Sequence, residues 1–210
     1  MTGVHAVAAS VRALRAFTAK RPRQAACALC GARIAEHPAH PHLLAASAGR
    51  VVCACGACAL LFAGDSGGAY RRLPEAVVAY GEPRLSDADW QVLGVPIRLC
   101  CFVRRTANEI ECIYPSPAGP VRSALGADAT ALLVRYYPTL PSLERSVEAI
   151  LLCAVGEQRQ AFRLPIDECF RLVGLARRHF RGATGGAAWW SALDGWLTEL
   201  CERSRGGSHV

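Results

Sequence analysis

The chain is almost without lysine: of its 24 basic residues only Lys20 is one, and the rest are arginine. A formal net charge of +7 invites a nucleic-acid partner. The arginines are scattered among many alanines, however, so the bias reflects composition more than a designed basic face, and charge alone does not make nucleic acid the expected partner. Nowhere does the sequence reach the roughly 18 consecutive apolar residues of a membrane span, so no span is expected. The apolar run over residues 4–11 has no charged region ahead of it and is broken by His5 and Ser10, which excludes a convincing secretory signal and leaves a cytoplasmic location expected. Also missing are a Gly-x-Ser-x-Gly elbow, a Walker loop and a dinucleotide fingerprint, which inclines the chain away from an enzyme.

What the chain has in quantity is cysteine. Eleven occur, an odd number that argues against a disulfide framework, and in a reducing compartment they stay thiols. Five fall in one stretch, as Cys27-x-x-Cys30 and Cys53-x-Cys55-x-x-Cys58. Two Cys-x-x-Cys pairs with residues 31–54 between them have the spacing of a four-thiolate site, because each pair turns tightly enough to offer two sulfurs to one ion. Four thiolates close the tetrahedron of Zn2+, so such a site holds structure and does not catalyse. Cys27, Cys30, Cys55 and Cys58 are therefore the expected ligands and Zn2+ the expected ion. Cys53 is the alternative to Cys55, a supporting neighbour outside the ligand set, or one more sulfur for a cluster; Cys55 is preferred because it restores the Cys-x-x-Cys knuckle.

Mononuclear iron is the alternative metal, since a tetrahedral four-sulfur site suits it as well. Cys27-Ala-Leu-Cys30-Gly31 has the form of a rubredoxin knuckle, whereas Cys58 is followed by Ala59 and departs from it. His37, His40 and His42, between the knuckles, could ligate a second ion or deliver metal, but a proline-studded polar loop reads first as a solvated turn. Cys100, Cys101, Cys112, Cys153, Cys169 and Cys201 stand in apolar segments and read as small core residues.

Around this module the hydrophobic pattern predicts an α+β fold. Val4, Val7, Val11, Leu14 and Phe17 recur at helical spacing, and that helix should stop before Pro22. Residues 43–46 and 50–53 predict short strands about a turn at Ala48-Gly49, the arrangement that joins the knuckles of a zinc ribbon. Residues 59–63 predict a helical turn, and Gly64, Gly67 and Gly68 a closing loop. Ser86 ahead of Asp87 and Asp89 predicts a helix running to Leu93. Residues 97–104 and 109–114 predict a hairpin ended by Pro115 and Pro117, followed by a helix over 124–136. The same order returns about fifty residues later, with strands over 147–155 and 160–164, Pro165, and a helix over 166–179. It predicts a four-stranded antiparallel sheet with helices on one face. A last helix over 187–202 should bury Trp190, Leu193, Leu197 and Leu200. The expected division is an N-terminal helix and linker over 1–24, a four-cysteine metal-binding module over 25–69, an α+β domain over 70–205 and a disordered tail over 206–210.

Asp167 and Glu168 stand in the first turn of a helix, where carboxylates complement the dipole, so capping accounts for them. The turn over 179–186 could hold an anion on Arg181 and free amides. Its simpler role is to end a helix and tuck the Trp189-Trp190 pair into the core.

Taken together, Cys27-x-x-Cys30, Cys53-x-Cys55-x-x-Cys58 with Leu60-Leu61-Phe62, the block Tyr114-Pro115-Ser116-Pro117-Ala118-Gly119, Pro165-Ile166-Asp167 with Cys169 and Leu172-Val173-Gly174-Leu175, and Arg181-Gly182 ahead of Trp190 resemble a bacterial family of unknown function. Its genes lie beside those of oxygen-tolerant, high-affinity uptake nickel-iron hydrogenases. The resemblance covers residues 25–205. It implies a cytoplasmic accessory or maturation factor for a metalloenzyme, or a part of its electron-transfer chain, with hydrogenase subunits as the protein partner. Tyr114, Pro115, Ser116 and Pro117 cannot be a ligand set; with Arg181 and Trp190 they are candidates for a surface that a partner reads. The expected function is that of a non-enzymatic metal-binding accessory protein acting by protein contacts. The alternatives are a rubredoxin-like iron electron carrier and a zinc-ribbon nucleic-acid-binding protein.

Overall fold

A computed structural model describes residues 25–35, 40–62 and 68–206. The helix expected over residues 4–17, His37, Gly64, Gly67 and residues 207–210 lie outside the described residues.

Strands β1 (His42–Ala45) and β2 (Arg50–Cys53) form the expected hairpin. It turns at Gly49, whose φ of 58° lies in the left-handed region that glycine enters without strain. Helix α1 (Gly56–Phe62) follows. It starts three residues ahead of the turn expected at Ala59, so Cys58 lies within it. Strand β3 (Tyr70–Arg72) pairs with the other side of β1 and completes a three-stranded antiparallel sheet, β2-β1-β3. This third strand lies just past the boundary drawn at residue 69. Leu43, Val52, Ala54 and Ala59 pack with Cys27 and Cys58 into a small core under the hairpin, while Leu44 faces the opposite way into the main body.

The body runs β4 (Val78–Gly81), α2 (Asp87–Leu93), β5 (Leu99–Arg104), β6 (Ile110–Ser116), β7 (Gly119–Ala124), α3 (Ala127–Tyr136), a 3-10 turn (Leu140–Ser142), β8 (Glu148–Cys153), β9 (Gln160–Pro165), α4 (Ile166–His179) and α5 (Gly186–Gly206). The strands make one antiparallel sheet in the order β4-β9-β8-β5-β6-β7. The four expected strands are its centre, and β4 and β7 extend it on either side.

Helices cover both faces of this sheet, not one. Cys100 and Phe102 of β5 and Ile150 and Leu152 of β8 pack under α2 and α3, through Trp90, Leu93, Ala129 and Leu133. The alternate residues Leu99, Cys101 and Val103, with Ala149 and Leu151, pack under α4 and α5, through Cys169, Leu172, Trp189, Leu193 and Leu197. A strand with one wet face alternates apolar and polar residues, whereas one covered on both sides reads as a continuous apolar run. The runs Leu-Cys-Cys-Phe-Val in β5 and Ala-Ile-Leu-Leu-Cys in β8 are of the second kind.

This arrangement also removes the suspected repeat. A two-fold axis relating the hairpins β5–β6 and β8–β9 would have to run perpendicular to the sheet, which would keep the helices that follow them on one face. Instead α3 and α4 lie on opposite faces.

Pro115 does not end its strand. It lies inside β6, opposite Pro120 of β7. Alternate pairs of an antiparallel ladder exchange no N–H···O bonds, so two residues that lack the N–H can face each other there without loss. The last helix is also turned from its expected setting: Trp189, Leu193, Trp196, Leu197 and Leu200 are buried, and Trp190 is 41% exposed. Near its C-terminal end the Arg203 guanidinium is paired with Glu168 of α4.

Candidate metal centre and binding groove

The first knuckle is a tight loop closed by the Ala26–Arg33 bridge. Cys27 N–H donates to Ala32 O, and Gly31 N–H donates back to Cys27 O at 2.9 Å, which places Gly31 at a φ of 76°. The second knuckle leads into a helix, with Ala59 N–H donating to Cys55 O and Cys58 N–H directed at Cys55 Sγ, 3.4 Å away. Two backbone bonds hold the parts in register, Ala28 N–H to Cys53 O at 2.9 Å and Ala54 N–H to Pro41 O at 3.0 Å.

The result brings together the sulfurs of Cys27, Cys30, Cys55 and Cys58, all within 4.8 Å of one another. The Cys30 and Cys55 sulfurs are 3.7 Å apart. Four metal–sulfur bonds of about 2.3 Å at tetrahedral angles require an edge of about 3.8 Å, so the donor set fits a metal ion of this class. Burial raises the Cys27 thiol pKa, but backbone N–H groups of Cys30, Cys55 and Leu29 aimed at its sulfur outweigh this and lower it to about 6. Burial and the neighbouring sulfurs push Cys58 up to about 12. Like charges this close oppose one another's ionisation, so all four thiolates form together only around a cation.

Cys53 stands outside this set. Its sulfur clusters instead with ring nitrogens of His40 and His42, again within 4.8 Å. Burial raises its thiol pKa, and the charge of Asp167 raises it further. His42 is no solvated turn residue: it opens β1 directly opposite Cys53, and its Nδ1 lies 2.5 Å from Asp167 Oδ2. Asp167 thus does more than cap α4, and nothing in the local sequence links it to a residue 125 positions earlier.

At the C-terminal end of α4, Tyr114, Pro115, Ser116 and Pro117 face the same groove as Trp190. They line one groove of about 500 Å3 together with Leu99, Val155, Phe180, Ala183 and Trp189. Arg181 is exposed beside it and does not line it. The turn from Arg181 to Gly185 is closed by a backbone bridge, and Phe180 packs edge-on against Trp189 with centroids 5.7 Å apart. At Gly185, with φ of 88°, a Cβ would come within 2.5 Å of the Trp189 ring, so only glycine lets this turn close on the tryptophan. The Trp189-Trp190 pair is therefore split, one ring in the core and one in the groove wall. Leu99, Val155 and Ala183 come from segments whose meeting depends on the sheet order, which no local pattern announces.

Several of the described arginines are engaged by carboxylates. Arg71, Arg105, Arg163, Arg171 and Arg203 are each paired with a carboxylate. None of the described helices is long and apolar enough to cross a membrane.

Fold and site together define a three-layer α+β protein that carries a ribbon-like module with a four-cysteine centre able to hold a metal ion. The chain belongs to the Family of unknown function (DUF5947), whose model matches residues 26–204, from the first knuckle into the last turns of α5. No curated protein and no solved structure matches it.

Proposed function

We propose that this protein is a non-enzymatic accessory factor that acts by protein contacts, with a structural Zn2+ held by Cys27, Cys30, Cys55 and Cys58. The groove is the observation that carries this reading. Its wall offers no carboxylate, imidazole, thiol or amine, and of its hydroxyls Ser116 already donates to Gly119 O at 2.8 Å. Such a wall has the means to bury an apolar side chain of a partner, and its hydroxyls, Tyr114, Ser116 and Thr184, have no base among the lining residues to activate them. The metal site, with its four protein sulfurs, keeps no position open for a substrate. The partner class rests on the resemblance of the sequence motifs: a subunit of a nickel-iron hydrogenase, during its maturation or association.

Copurification with the hydrogenase subunits tests the partner. Ala183→Arg, which fills the groove from an exposed position, and Trp190→Ala, which removes its wall, should both abolish copurification while leaving the thermal midpoint within a few degrees of the parent. Absence of any association, with unchanged hydrogenase activity in a deletion strain, rejects the proposal. Mononuclear iron is the second reading of the metal, favoured by the rubredoxin-like first knuckle with Gly31 at positive φ. Elemental analysis and an absorption spectrum of protein expressed with iron available separate the two: colourless zinc protein is expected, and a reducible visible band with bound iron would replace zinc by iron.

A further inference from the structure

We propose that His40, His42 and Cys53 form a second metal site, distinct from the four-cysteine centre, for a divalent transition ion of the zinc and cobalt class. The inference does not depend on the groove or its partner.

Three observations converge on it. His40 Nδ1 lies 2.8 Å from the carbonyl oxygen of Ala35. A carbonyl only accepts, so Nδ1 carries the proton and, in the neutral ring, Nε2 presents its lone pair. His42 Nδ1 lies 2.5 Å from Asp167 Oδ2, which fixes the same tautomer in the second ring. The two Nε2 atoms then face each other at 3.0 Å with the rings at 88°. Two lone pairs directed at one point call for a cation between them. Metal–nitrogen bonds of about 2.0–2.1 Å at tetrahedral angles place such nitrogens about 3.3 Å apart, close to the spacing found.

The third donor is fixed by the sheet. Cys53 is the cross-strand partner of His42, so their side chains leave the hairpin on the same face, and the sulfur lies within 4.8 Å of both rings. Carboxylate–imidazole–metal chains are how proteins orient ligating histidines, and Asp167 occupies that outer place for His42. Two imidazoles and a thiolate suit zinc, cobalt, nickel or copper and not magnesium or calcium. Three protein ligands leave a coordination position open, unlike the four-sulfur centre. His42 and Asp167 also line a cleft of about 450 Å3 with Arg171 and Arg178, so the seam between ribbon and body is reachable from outside.

Cobalt titration of the full-length metal-free protein tests the site. Two equivalents should bind. One gives the intense sulfur-to-metal charge-transfer bands of four thiolates, and the other a weaker band from a single thiolate. His40→Ala, at a half-buried position, and Cys53→Ser should each remove the second equivalent and its band while leaving the four-thiolate spectrum intact; that spectrum also reports that the ribbon has folded. Asp167→Asn should keep the stoichiometry but weaken the second equivalent about 10–100-fold, as loss of an outer carboxylate does. Uptake of one equivalent by the parent protein would mean that the histidines share only a proton, and would overturn the proposal. So would a second equivalent that neither His40→Ala nor Cys53→Ser affects.

Discussion

Glu168 is 1% exposed, yet its carboxylate is fully engaged. Oε2 accepts from Trp196 Nε1 at 2.9 Å and lies 3.5 Å from Arg171, while Oε1 is bound by the Arg203 guanidinium. One side chain of α4 is thereby tied to two of α5. Removing one member of a buried charged set is costly because the others stay desolvated without their partner. Glu168→Ala should destabilise the fold by about 3 kcal/mol in denaturant unfolding, and Glu168→Gln by less, since it keeps an acceptor for the indole. A loss no larger than that of a surface substitution would show the network to be solvated. The four cysteines, as ligands of the proposed ion, obey a stricter rule, because the ion's binding energy would be folding energy. Cys27→Ser or Cys58→Ser should lose the four-sulfur metal and unfold the ribbon, with on the order of 10 kcal/mol of binding energy at stake. Cys53→Ser should keep that metal, as read by elemental analysis at one ion per chain fewer than the parent.

At the scale of elements, whatever is encoded within a few residues was legible. Ser86 caps α2 with a full capping box: its hydroxyl accepts from Asp89 N–H at 3.2 Å, and Asp89 Oδ2 accepts from Ser86 N–H at 2.8 Å. The Ser86 hydroxyl and backbone N–H, helped by the Tyr136 hydroxyl, hold the Asp89 carboxyl below the usual carboxylate range. A group bound more tightly when ionised stabilises the fold above its unfolded pKa, near 4, and loses that contribution as pH falls through its lower folded value. Ser86→Ala should therefore cost about 1 kcal/mol near neutral pH, with the difference shrinking below about pH 4 in parallel urea titrations. The β1–β2 hairpin, the span of α4 and the Cys-x-x-Cys knuckles were readable for the same reason: their signals are local. The sheet's two covered faces were encoded too, in the unbroken apolar runs of β5 and β8, but the hairpin-proline-helix order suggested a one-sided sheet. The groove and the His42–Asp167 contact were not readable. Each joins residues brought together only by strand order, and Tyr114 carries no mark of meeting Trp190.

The whole molecule joins two cores of very different size. The body buries apolar residues on both faces of six strands, enough to stay folded without help. The ribbon's buried core comprises Cys27, Leu43, Val52, Ala54, Cys58 and Ala59, and two of these belong to the four-cysteine centre. So small a core does not hold three short strands in water, so an ion bound by the four cysteines would be its principal stabiliser. The two parts meet through Leu44, Leu73 and Val77, which pack into the body's core, and through Arg71, which binds Glu144 and Arg145 O. Removing the metal with a chelator should thus unfold the ribbon alone. In hydrogen exchange, amides of β1, β2 and β3 should lose protection while those of β5 and β8 keep theirs, and the helical circular dichroism should fall only slightly. Leu44 would leave the body's core with the ribbon, so the thermal midpoint of the remaining transition should drop by several degrees. Protection in β1 that survives chelation would show that packing on the body, and not the ion, holds the ribbon in place.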